Sequence, residues 1–178
     1  MRNIVLLGFM GAGKTTVAQE LRRLAGLNLI DTDDEIVKKD GREIRDIFRE
    51  DGETAFRDME TELLRQLSEM NISDTVISVG GGLPMREENR KLMKDAGCCF
   101  YLKAPADVLA GRLQNDLTRP VLEGKSGEDL KNHILGLMKK REEKYLDAAD
   151  EVIDTQGLSV RQTAEKILAV MEERYKRI

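Results

Sequence analysis

A short apolar run, Ile4 to Leu7, leads directly into Gly8-Phe-Met-Gly-Ala-Gly13-Lys14-Thr15 and then into a segment with helical apolar spacing at Val17, Leu21 and Leu24. The pattern G-x-x-x-x-G-K-[ST] between a strand and a helix constrains the fold strongly. Its glycines let successive backbone N–H groups curl round an anion, and the helix N-terminus adds about half a positive charge. Gly11, Ala12, Gly13, Lys14, Thr15 and Thr16 are therefore the candidate nucleotide-phosphate site. Lys14 is placed to reach the β- and γ-phosphates, and the Thr15 hydroxyl to meet the magnesium ion that bridges them. A dinucleotide fold is excluded, because the glycine order G-x-G-x-x-G is absent. A GTP switch is disfavoured: the chain has no N-K-x-D, and its only D-x-x-G, Asp154 to Gly157, follows the fifth strand.

The rest of the chain repeats the strand-then-helix alternation. Short apolar runs at Ile4 to Leu7, Leu27 to Ile30, Val76 to Val79, Cys98 to Leu102 and Val152 to Asp154 alternate with longer segments of helical period, which predicts a parallel sheet covered on both faces. The length of 178 residues suits one domain over 1–178. Two stretches exceed a minimal alternating fold. Residues 33–73 read as helices broken at Gly41 and Gly52, and residues 115–127, NDLTRPVLEGKSG, read as a mobile lid. Twenty-nine basic against thirty-three acidic side chains argue against bulk binding to nucleic acid or acidic lipid, so any anion must be held locally. With two adjacent cysteines, Cys98 and Cys99, and no leader or membrane span at the N-terminus, the expectation is a reduced, cytoplasmic protein.

Strand three ends in Ser78-Val79-Gly80-Gly81-Gly82 rather than in an acid, so the usual metal-supporting carboxylate must come from elsewhere. Strand two runs into Asp31-Thr32-Asp33-Asp34, which brings Asp31 and Asp33 to the carboxyl end of the sheet, where magnesium and a phosphoryl acceptor must meet. The competing reading is that Asp33 or Asp34 caps the next helix. Glu60 sits on the apolar stripe of Phe56, Met59, Leu63, Leu67 and Met70 and so needs a partner. Arg57, three residues back, can supply it and have its own guanidinium aimed at an anionic ligand, unless the two form an idle surface pair. Arg141 interrupts the stripe Leu130, Ile134, Leu137, Met138 and Tyr145, and either meets a carboxylate or snorkels to solvent. Arg112, just before the lid, is either a nucleotide contact or a helix-terminal cation, and Arg119 in the lid is placed to close on transferring phosphate.

Taken in order and spacing, GFMGAGKTT at 8 to 16, DTD at 31 to 33, FRDME at 56 to 60, GGG at 80 to 82, LTRP at 117 to 120 and KKREEKY at 139 to 145 resemble the shikimate kinase family of phosphate-loop folds related to nucleoside monophosphate kinases. The resemblance implies a three-layer α/β fold with a five-stranded parallel sheet of order 2-3-1-4-5 and a mobile lid. It also implies ATP-dependent phosphorylation of the 3-hydroxyl of shikimate, with Mg2+, in aromatic amino acid biosynthesis. The implied roles are residue by residue. Lys14 and Thr15 hold phosphates and metal, Asp31 supports the metal through water, and Asp33 binds and activates the hydroxyl. Arg57 and Arg141 grip the carboxylate, with Glu60 orienting Arg57. The backbone of Gly80, Gly81 and Gly82 lines the ring, Arg112 lies against adenine, and Arg119 closes on the phosphates. The segment after strand five, Asp154-Thr-Gln-Gly-Leu-Ser, lacks the proline often found in the adenine loop of that family. The expected partners are ATP and shikimate, with no nucleic acid and no membrane, and the chain is expected to act as a monomer. The rival readings are a gluconate or nucleotide kinase of the same fold and a non-catalytic ATP-binding module.

Overall fold

The computed structural model describes residues 2–70, 72–114, 122, 124 and 126–175. Five parallel strands, β1 (Ile4–Leu7), β2 (Asn28–Asp31), β3 (Thr75–Ser78), β4 (Cys98–Lys103) and β5 (Glu151–Asp154), form one sheet in the order β2-β3-β1-β4-β5, as the resemblance implied. Burial follows position in the sheet. The inner strands β1 and β3 are buried along their whole length, while the edge strands β2 and β5 keep exposed or half-exposed residues.

The helices follow from right-handed crossovers. From β1, α1 (Lys14–Ala25) leads to β2 on one face, where it packs against α8 (Val160–Tyr175). The chain then returns through α2 (Thr32–Asp40), α3 (Ile44–Glu50) and α4 (Gly52–Glu69) to β3 on the opposite face. There α4 meets α5 (Glu87–Ala96), and α5 meets α7 (Gly127–Ala148), which is packed in turn by α6 (Ala106–Leu113). The predicted breaks at Gly41 and Gly52 fall between α2 and α3 and at the start of α4. At the last helix, Ser159 caps as expected and does so reciprocally. The Gln162 N–H donates to Ser159 Oγ at 3.2 Å while the Ser159 N–H donates to Gln162 Oε1 at 2.9 Å.

Two stripe positions leave the core. Met70 is 56% exposed, because α4 ends there and the backbone turns extended. Val160 is 41% exposed, because it opens α8 at the rim of the cleft below. Most of the proposed lid, including Arg119, lies outside the described residues. Among the described residues no helix is long and apolar enough to cross a membrane.

Candidate active site

Since β1 is the middle strand, flanked by β3 and β4 with β2 beyond β3, the loops at their carboxyl ends converge at one end of the sheet, as the topology of open α/β sheets requires. The phosphate loop lies there, at the floor of a cleft of about 450 Å³ whose walls include Asp31, Asp33, Gly80, Gly81, Arg112 and Leu158. The Lys14 ammonium folds over its own loop and donates to the Gly8 and Phe9 carbonyls at 2.9 and 3.0 Å. Arg112, in the last turn of α6, reaches back and donates to the Gly11 carbonyl at 2.8 Å, so it is at once helix-terminal and part of the cleft wall.

Asp31 ends β2 with two duties. Its Oδ2 accepts from the Thr15 hydroxyl at 3.0 Å and its Oδ1 from the Asp33 N–H at 3.1 Å. The cap of α2 is therefore Asp31, not Asp33 or Asp34, because the helix already begins at Thr32 and Asp33 is its donor. Asp33 is left facing the cleft. Thr15 and Asp31 present hard oxygen donors one hydrogen bond apart beside the phosphate loop. That suits a small divalent cation carried in on substrate phosphates. No cluster of three or more metal-ligating side chains occurs among the described residues, so no cage made only of protein is available there.

Two arginines border the glycine triplet and the phosphate loop that it backs onto. Arg57 on α4 donates to Glu60 Oε2 at 2.7 Å and to Glu53 Oε1 at 2.9 Å. Glu60 is fully buried, which removes the idle surface pair from consideration. The guanidinium lies flat against Gly82: a Cβ there would come within 2.4 Å of it, so any side chain at this position displaces Arg57. Gly80 is equally constrained, since a Cβ would sit 2.7 Å from both Asp33 Oδ1 and Glu60 Oε1. Arg141 does not snorkel. It is 9% exposed, and its guanidinium lies 5.7 Å from the ring centroid of Phe9, in the phosphate loop itself. Neither arginine lines the nucleotide cleft; Arg57 lies against Gly82, next to the lining residue Gly81, and Arg141 over Phe9, next to the lining residue Met10. Burial pushes the Tyr145 phenol up, and the charges of Arg141 and Arg57 both pull it back.

Sequence reasoning missed three members of this arrangement. Glu53 is a second carboxylate on Arg57, at the i,i+4 spacing that should have flagged it. Phe9 offered no signal, as its partner is 132 positions away. Tyr145 read only as one more apolar position.

Burial also pushes the Glu60 carboxyl up to about 7, against the pull of Arg57 and with the Asp33 charge adding to the rise. The folded chain thus keeps a proton that the unfolded chain releases near its ordinary value of 4.5. The stability this supplies is complete below about pH 4.5 and is lost as the pH rises through about 7, on the order of 3 kcal/mol in all. Glu60→Gln keeps the neutral shape and should flatten this part of the profile. The expected result is a melting temperature that falls between pH 5 and pH 8 by several degrees less than in the wild type. Equal falls in both proteins would refute the assignment.

Comparisons with known proteins point to one family. The family model described as shikimate kinase matches residues 10–172. A shikimate kinase of Bacillus cereus is 40% identical over 173 residues, covering 97% of this chain and all of that one. A shikimate kinase of Caldicellulosiruptor bescii is 41% identical over 170 residues, covering 96% of this chain and 95% of that one. Among solved structures, shikimate kinase from Acinetobacter baumannii in complex with shikimate superposes with a TM-score of 0.90 at 35% identity, covering 98% of this chain and 95% of that one. A gluconokinase from Sinorhizobium meliloti, at 16% identity and a TM-score of 0.56, shares the fold alone.

Proposed function

The chain belongs to the shikimate kinase family, and from that premise we propose that it transfers the γ-phosphate of ATP to the 3-hydroxyl of shikimate, giving shikimate 3-phosphate for aromatic amino acid synthesis. One observation carries the reading to this chain's own residues. A phosphate loop with two aspartates stands beside Gly80 and Gly81, while the half-buried Arg57 of α4 lies against Gly82 and the buried Arg141 of α7 lies over Phe9. A small acid bearing hydroxyls needs both sets of groups at once.

In this mechanism the backbone of Gly11 to Gly13 and the Thr16 turn hold the triphosphate, and Lys14 leaves the Gly8 and Phe9 carbonyls to meet the β- and γ-oxygens. Thr15, with Asp31 supporting through water, would hold Mg2+, which would supply neutralisation of charge on the phosphates. Arg57, fixed by Glu53 and Glu60, and Arg141, resting on Phe9, clamp the acceptor carboxylate, and the Gly80–Gly82 backbone lies along its ring. Clamping at that end turns the acceptor hydroxyl toward Asp33, which accepts its proton and aligns it with the γ-phosphorus. Arg112 packs against the adenine, with Leu158 supplying an apolar surface where the family's loop often has proline. Arg119 closes on the phosphates from the lid at 115–127, and residues 33–73 form the acceptor-binding segment. The chain works as a single domain and as a monomer, in the cytoplasm.

ADP release measured with ATP and a panel of shikimate, quinate, gluconate and nucleoside monophosphates tests the proposal. Turnover is expected to be highest with shikimate. Preference for gluconate or a nucleotide would move the chain to a sister activity, and no ATP-dependent turnover with any acceptor would leave only nucleotide binding.

A further inference from the structure

Tyr145 is 1% exposed and packs its ring on Tyr101 at 5.2 Å, yet it is not a phenylalanine. Its hydroxyl donates to the Gly81 carbonyl at 2.6 Å, across 64 positions of sequence. A buried phenol must find a partner, and a phenylalanine in the same space would need none, so the hydroxyl is there for the contact it makes. That contact is with the middle residue of the glycine triplet. Gly81 in turn backs onto the phosphate loop: a Cβ on it would lie 3.2 Å from the Met10 nitrogen and 3.4 Å from the Gly8 carbonyl oxygen.

Arg141 stands one turn earlier on the same buried face of α7, its guanidinium over Phe9. Successive turns of α7 are thereby tied to two loops, Arg141 to the phosphate loop and Tyr145 to the glycine triplet. The triplet has no side chains with which to hold its own position, and Arg141 has a long, flexible one.

We infer that Tyr145 is a positioning residue for the acceptor. Its hydroxyl pins the glycine triplet to α7, so that Arg141 and the Gly80–Gly82 backbone meet the substrate as one rigid surface. The inference rests on the proposed reading that those groups receive the acceptor. Without the hydroxyl the Gly81 carbonyl loses its partner, the triplet relaxes, and the carboxylate clamp and ring platform no longer stand at a fixed separation.

The test is Tyr145→Phe, which keeps the ring packing and hence the fold, assayed by ADP release with shikimate and ATP varied separately. The acceptor KM is expected to rise about five- to twenty-fold, with the ATP KM within about two-fold and kcat within about three-fold of wild type. In an Arg141→Ala background the same change is expected to raise the acceptor KM by less than about two-fold, because the clamp it positions is already gone. An unchanged acceptor KM with a lowered melting temperature would make the tyrosine merely structural and overturn the inference. So would a full rise repeated in the Arg141→Ala background. Failure of the wild-type chain to phosphorylate shikimate would instead overturn the functional reading itself.

Discussion

Replacing Lys14 with alanine is expected to lower kcat with ATP and shikimate by about 10³-fold or more while leaving the fold intact. The size follows from what the ammonium does: it is a full positive charge preset beside the oxygens on which charge builds during transfer, and removing even one preorganised neutral donor from such a site costs about 10² to 10³. The intact fold follows from its surroundings. Lys14 opens α1 half-exposed, and its ammonium folds onto the Gly8 and Phe9 carbonyls rather than into the apolar core. Purified Lys14→Ala should melt within a few degrees of wild type. A variant that folds normally and keeps wild-type turnover would contradict the placing of the triphosphate on residues 8–16.

Arg141→Ala is expected to act on the other substrate, raising the acceptor KM by about 10²-fold with a smaller effect on kcat. A carboxylate contact is present in the ground state and the transition state alike, so its loss falls mainly on binding. Truncating one partner of a buried charged pair typically costs about 2 to 5 kcal/mol, which sets the scale. Stability should change less than for most buried charges. Arg141 lies over the Phe9 ring, and among the described residues no ion pair joins it to a carboxylate. An acceptor KM within error of wild type would mean that the guanidinium only packs against the phosphate loop. Of the two variants, Lys14→Ala reports on the nucleotide side of the glycine wall and Arg141→Ala on the acceptor side.

Much of this was legible in the residues, and the legible part has a common character. The phosphate loop, the acidic end of β2, the capping of α8 by Ser159 and the Arg57 to Glu60 pair all join groups within a few positions of each other, where backbone geometry alone fixes who can meet whom. The alternation of strand and helix is similarly local, and it leads to a parallel sheet because short connections leave no other way to bury each apolar face. Where local reading slipped, it slipped by a residue or two. The cap of α2 belongs to Asp31 rather than to the acids after it, since the helix starts earlier than the run of aspartates suggests.

The sequence by itself therefore determined the anion-binding loop, the strand-helix alternation and the chemical character of the acceptor site, because each depends on spacing along the chain. Only the tertiary structure decided that Asp31 meets Thr15, that Arg141 rests on Phe9, and that Tyr145 holds Gly81. Those contacts span from 16 to 132 positions, and no periodicity in a chain encodes them. They come into being when the order of the strands brings the loops to one end of the sheet, where burial obliges each polar group to find a partner.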